Sequence, residues 1–201
     1  GTYTTQARNK RANRQSEFAL HDAEFLASFA AYLDPAFVYP AAALQHAWQL
    51  VCLNQFHDII PGSSIGPVYA ASQAQYAEVR RLAEGARQAA LASLAARLGG
   101  DRLVVNPTSF PRRDLAWHPG PLPAGQRLAH ADGRPVASQP AEGGVWLDLG
   151  ELPPYSVTAL TLTADEPGPA AAALPATPQL LENERLRVEL NAAGDIVRLF
   201  D

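Results

Sequence analysis

The stretch Leu91-Ala92-Ser93-Leu94-Ala95-Ala96-Arg97-Leu98-Gly99-Gly100-Asp101-Arg102-Leu103-Val104-Val105-Asn106 decides the fold. Up to Leu98 the apolar residues recur at three and four, the period of a helix packed along one face. A glycine pair stops that pattern, and a short β-branched run follows it. The period changes at Gly99, Gly100 and Asp101, so residues 1–99 read as helical and residues 101–201 as β-rich.

Working back from the glycine pair, Val68, Tyr76, Val79, Leu82, Leu91, Leu94 and Leu98 predict a third helix. A second starts after Pro40, carries Leu44, Trp48, Val51, Cys52, Phe56 and Ile59 on one stripe, and ends at Pro61-Gly62. A first spans about Asn9 to Leu33, with Phe18, Phe25, Leu26, Phe29, Tyr32 and Leu33 as its apolar positions, and Asp34-Pro35 stops it. Short connections between three helices predict an antiparallel bundle. Working forward, Leu103–Val105, Val145–Leu149, Val157–Leu162, Leu186–Leu190 and Ile196–Phe200 read as strands of an antiparallel sheet, with the Pro- and Ala-rich residues 165–178 as a loop or linker. The fold class is α+β.

Composition narrows the function. Of 201 residues 47% are hydrophobic and 18% charged, enough to bury a core. A formal charge of −4 gives no overall reason to bind nucleic acid or an anionic membrane, and no apolar run reaches a membrane span. The basic run Arg8, Lys10, Arg11 and Arg14 reads as a solvated helix face rather than a nucleic-acid patch. One cysteine, Cys52, excludes an internal disulfide and reads as a packed thiol; the expected compartment is cytoplasmic. The chain holds no methionine and opens at Gly1 in mid-pattern, so a preceding segment is expected.

Chemistry concentrates in Asn54-Gln55-Phe56-His57-Asp58-Ile59-Ile60-Pro61-Gly62-Ser63-Ser64. On a helix Asn54, His57 and Asp58 share a face, and burying an amide, an imidazole and a carboxylate together asks for partners, which a divalent cation would supply. A helix C-terminus favours a cation by a few tenths to about 1 kcal/mol. The alternative is that His57 caps the helix and Asp58 opens the turn, because one histidine is one ligand and zinc needs three or four. His21, His46, His118 and His130 are scattered and read as surface or structural residues. Ser63 and Ser64 follow a Pro-Gly turn and read as turn residues. Core packing is expected of Phe18, Phe25, Phe29 and Tyr32, and of Trp117 and Trp146, for which stacking on sugar rings is the alternative.

Asn54 to Ser64 resembles the signature of the class II α-mannosidases, glycoside hydrolase family 38. Gly1 to Glu17 resembles the segment leading from that family's catalytic barrel into its middle helical domain, and Val104-Val105-Asn106-Pro107 with Phe110-Pro111-Arg112 resembles the first strand of its C-terminal β-domain. The resemblance implies an internal piece of such an enzyme: a three-helix middle domain over 1–99, the start of a C-terminal β-sandwich domain over 101–201, and a catalytic barrel upstream. It implies His57 as a zinc ligand completed by a His and two Asp from that barrel, and Asp58 as a residue binding mannose hydroxyls. The nucleophile and general acid would also lie upstream, so no catalytic carboxylate is expected here and the chain alone should hydrolyse nothing. The implied mechanism is retaining, through a covalent glycosyl-enzyme intermediate with two carboxyl groups roughly 5 Å apart, and zinc would position sugar hydroxyls. The implied partners are a mannose-containing oligosaccharide or glycan and the upstream catalytic domain; exposed apolar surface would serve docking of that domain or a homo-oligomer. The competing reading is a non-catalytic carbohydrate-binding or scaffold module, which needs no metal and no His57.

Overall fold

A computed structural model describes residues 4–165, 175–183 and 185–201. Among these residues three helices, α1 (Ala7–Leu33), α2 (Ala41–Asn54) and α3 (Gly66–Leu98), precede ten strands. The strands are β1 (Arg102–Asn106), β2 (Arg112–Pro119), β3 (Gln126–His130), β4 (Ala137–Ala141), β5 (Gly144–Leu152), β6 (Ser156–Ala164), β7 (Ala176–Thr177), β8 (Leu180–Glu182), β9 (Arg187–Leu190) and β10 (Ile196–Phe200). This is the expected α+β order of a helical bundle followed by antiparallel sheets. Among the described residues no helix is long and apolar enough to cross a membrane.

Consecutive helices run antiparallel, so α1 and α3 run the same way. Asn9 Nδ2 donates to Ser72 Oγ at 2.8 Å, Tyr76 Oη donates to Asn13 Oδ1 at 3.2 Å, and Arg97 pairs with Asp34. Each of these pairs is 63 residues apart, so the two helices stay in step from one end of the bundle to the other. Their contact is made by small side chains. Leu20, Ala23, Leu44, Ala47, Val51, Val79, Ala83 and Ala86 form the bundle core, and alanine at the crossings lets the backbones approach closely. The aromatic reading of α1 is corrected accordingly: Phe18 and Tyr32 are exposed, while Phe25 and Phe29 are half-buried against Leu26, Ala27, Ala30, Ala90 and Leu94. Cys52 is exposed, not packed.

Leu103, Val105 and Val157 pack onto that same second cluster and fasten the first sheet to the bundle. Two three-stranded antiparallel sheets, β1-β6-β3 and β2-β5-β4, enclose a core of Leu128, Val136, Val145, Leu147, Leu149, Leu152 and Leu160. Asn106, 2% exposed, locks their corner. Its Nδ2 donates to the carbonyls of Phe110, Leu152 and Pro153 at 3.0, 3.3 and 2.8 Å, and its Oδ1 accepts from the backbone and hydroxyl of Thr108. Trp117 and Trp146 depart from the expected core. They face each other across β2 and β5 on the outer side of the sheet, 42% and 43% exposed, with ring centroids 5.0 Å apart.

The change of secondary structure falls at Gly99, whose φ of 70° closes α3. The compact units divide elsewhere, into residues 1–164 and 165–201. The second unit is a four-stranded meander of order β10-β9-β8-β7. Of the expected linker 165–178, residues 166–174 lie outside the described residues, while Ala176–Thr177 is strand rather than loop.

Candidate functional site

The segment carrying His57 and Asp58 is not a helix. α2 ends at Asn54, and a chain of tight turns replaces the expected continuation to Pro61-Gly62: Ile59 N to Phe56 O at 2.8 Å, Ile60 N to Phe56 O at 3.1 Å and Gly62 N to Ile59 O at 3.1 Å. Two causes are local. Pro61 has no N–H to offer the carbonyl of His57, and Gly62 sits at a φ of 95° that a helix does not contain. A third is tertiary. The Asn54 side chain is wholly buried and turns away from solvent, donating to Leu50 O and to Gln75 Oε1 of α3, both at 2.8 Å.

The expected shared face of Asn54, His57 and Asp58 is therefore corrected. Asn54 points into the bundle, and its Oδ1 has no partner among the described residues. His57 and Asp58 point outward with side chains 77% and 69% exposed. Nε2 of His57 and Oδ1 of Asp58 are 3.7 Å apart. The Phe56 and His57 rings are tilted against each other with centroids 4.2 Å apart.

What surrounds this turn holds it firmly. The Tyr69 hydroxyl donates to Ile59 O at 3.2 Å and accepts from Ser64 N at 3.0 Å. Lys10 Nζ donates to the carbonyls of Thr5 and Pro61, bridging the residues before α1 to the turn. A Cβ on Gly62 would lie 2.8 Å from Thr5 Cγ2 and 2.9 Å from Thr5 O, so only glycine fits there. The start of α1, the end of α2 and the start of α3 thus meet around an exposed His-Asp pair.

Sequence reasoning missed Tyr69 and Lys10 in these roles. Lys10 carried a signal: it is the single lysine among 16 basic residues, and a compact ammonium can satisfy two converging carbonyls where a forked guanidinium fits poorly. Ser63 and Ser64 behave as expected, as turn residues.

For zinc, three or four ligands are needed, and among the described residues no group of three His, Cys, Asp or Glu is close enough to hold a metal. An exposed imidazole nitrogen beside a carboxylate can still donate one ligand to an ion whose other ligands come from elsewhere. The remaining histidines do not join it; His21 contacts Asp22 at 3.3 Å, and His118 accepts from Arg102 Nε at 3.0 Å.

Known proteins resemble this chain in sequence and in fold. Residues 1–94 match the family described as "Alpha mannosidase middle domain". Human alpha-mannosidase 2C1 is 42% identical over 123 residues, 60% of this chain and 12% of the relative; the mouse protein is 40% identical over 126 residues. An alpha-mannosidase of Saccharomyces cerevisiae is 46% identical over 70 residues. The chain thus spans about 12% of the length of the first two relatives. A crystal structure of a glycosyl hydrolase family 38 protein from Enterococcus faecalis superposes with a TM-score of 0.72 over 97% of this chain and 29% of its own, at 18% identity, a likeness of fold. Sequence match, order of elements and overall fold agree, and residues 1–94 of the chain match the α-mannosidase middle-domain family.

Proposed function

We propose that this chain is the part of a zinc-dependent retaining α-mannosidase that supplies one metal ligand, His57, and one sugar-binding carboxylate, Asp58. The observation that carries the reading is the exposed His-Asp pair on a rigidly braced turn, within a segment of the chain that matches the α-mannosidase middle domain. An exposed pair whose polar atoms have no other polar partner among the described residues can offer them to a ligand, and the bracing by Tyr69, Lys10 and Gly62 lowers the entropy that a mobile turn would lose on binding one. Bound zinc would polarise and orient adjacent sugar hydroxyls. In this reading His57 Nε2 would ligate the ion, and Asp58 accepts hydrogen bonds from hydroxyls of a terminal α-mannosyl residue. Neither residue transfers a proton to the glycosidic oxygen. Nucleophile and general acid come from a catalytic domain preceding residues 1–99, and residues 101–201 begin the β-domain that follows, so residues 1–201 alone are inactive. The substrate is a mannose-containing oligosaccharide or glycan.

The test compares zinc content and α-mannoside hydrolysis of the intact enzyme with those of His57→Ala and Asp58→Asn. His57→Ala should lose metal and activity together with the helical signal unchanged. Asp58→Asn should keep its zinc and lose activity. Full zinc and full activity in His57→Ala would remove the site and leave the scaffold reading in its place.

A further inference from the structure

The positive run at the start of α1 splits into two groups. Lys10 is taken up by carbonyls of Thr5 and Pro61, and Arg14 pairs with Glu17 at 2.7 Å. Arg8 and Arg11 instead line a groove of about 710 Å³ between α1 and α3, and Arg80 reaches the same groove from α3. Arg8, Arg11 and Gln15 fall at steps of three and four and so form one stripe of α1. No carboxylate lines the groove.

None of the three arginines has an ion pair among the described residues, whereas the other arginines of α3 are all matched: Arg81 to Glu78, Arg87 to Glu84, Arg97 to Asp34. Carboxylates are not scarce, since the chain has 20 acidic residues against 16 basic ones. Leaving three guanidinium groups unneutralised in one concavity costs mutual repulsion that an anion would relieve. Guanidinium forks match the oxygens of a phosphoryl group in geometry as well as charge. The amides add a second kind of contact. Gln73 Nε2 donates to Asn9 Oδ1, which leaves its Oε1 as an acceptor, and Gln15 is exposed beside it. Such groups suit hydroxyls. The volume lies within the roughly 300–1,000 Å³ of small-ligand sites.

We propose that the groove between α1 and α3 binds a phosphorylated small molecule, its phosphoryl group held by Arg8, Arg11 and Arg80 and its hydroxyls met by Gln15 and Gln73. This site is separate from the His57 turn and does not depend on it. Calorimetric titration of the purified protein with inorganic phosphate, pyrophosphate and a hexose 6-phosphate, beside the unphosphorylated hexose, tests it. One saturable site for at least one phosphorylated probe is expected, with no binding of the neutral sugar; the tightest probe names the source of the phosphoryl group. Arg11→Ala and Arg80→Ala should each weaken binding about tenfold, Arg11→Lys less, and Arg14→Ala not at all. All three positions are solvent-facing, so the melting temperatures without ligand should stay near wild type. Absence of saturable binding by every phosphorylated probe, or binding equally strong in Arg11→Ala and Arg80→Ala, would overturn the proposal.

Discussion

The hydroxyl of Tyr69, in the first turns of α3, donates to the backbone carbonyl of Ile59 at 3.2 Å. Through this bond the helix that opens after the His57 turn also holds that turn in place. Because the same oxygen accepts from Ser64 N, Tyr69→Phe removes two hydrogen bonds while keeping the ring that is 7% exposed. The expected cost is about 1–2 kcal/mol, read from the urea midpoint with an unchanged slope. A midpoint equal to wild type would show that water replaces the hydroxyl without loss.

Gly62→Ala should be worse than Gly99→Ala, although both glycines have positive φ, 95° and 70°. At Gly99 nothing lies within 4 Å of the added Cβ, so the cost is the backbone strain of φ 70° and ψ −163° alone, on the order of 1–3 kcal/mol. At Gly62 the methyl meets Thr5 at 2.8–2.9 Å, backbone oxygen included, and the turn must move. The clash should add roughly 1–3 kcal/mol to the backbone strain. Thermal unfolding of the two variants side by side decides it, and equal losses would mean that the residues before α1 yield freely.

Much of this architecture is legible in the sequence because it depends on local chemistry. The stop of α1 at Asp34-Pro35, the stop of α3 at Gly99-Gly100 and the strand at Leu103–Val105 all follow from backbone preferences of the residues themselves. What escapes the sequence depends on partners far along the chain. Asn54 ends α2 by bonding Gln75, and no periodicity reports a side chain that turns into a neighbouring helix. Phe18 and Tyr32 look like core, but the crossing of α1 and α3 is built from alanine and leaves the larger rings outside. β4, all exposed and containing Pro140, carries no hydrophobic signal; as an edge strand it needs none. The His57-Asp58 pair is legible as a candidate, yet its outward direction follows from the turns and from Pro61, not from helical spacing.

At the sandwich corner, Asn106→Asp should destabilise more than Asn106→Ala at neutral pH, despite being the closer match in shape. The alanine variant leaves the carbonyls of Phe110, Leu152 and Pro153 without their donor, at about 3 kcal/mol. The aspartate variant sets a buried carboxylate against those same oxygens. Its folded form prefers the protonated acid, which can donate one hydrogen bond, so its deficit should shrink as pH falls toward about 4. Chemical denaturation at about pH 7 and about pH 5 reads the difference; a deficit independent of pH would mean that the corner opens to water.

Tyr76 provides a test at the other end of the pH scale. Its side chain is 1% exposed and its hydroxyl donates to Asn13 Oδ1 at 3.2 Å. Burial first, and the charge of Glu17 second, push its ionisation from the ordinary 10.0 up to about 12. The folded value lies above the unfolded one, so the neutral phenol is the form the fold prefers. The stability it contributes is fully present below about pH 10 and is lost as pH rises from there towards about 12. Tyr76→Phe gives up the bond to Asn13, about 1 kcal/mol at neutral pH, but has no phenol to ionise at that position. Burial also raises the ionisation of Tyr39, and that contribution remains in both proteins. Urea midpoints at about pH 8, 10 and 11 should therefore begin with wild type ahead and converge as the buried phenol is forced to ionise. Parallel curves would mean that the Tyr76 ring reaches solvent before it loses its proton, and that α1 and α3 separate locally in alkali.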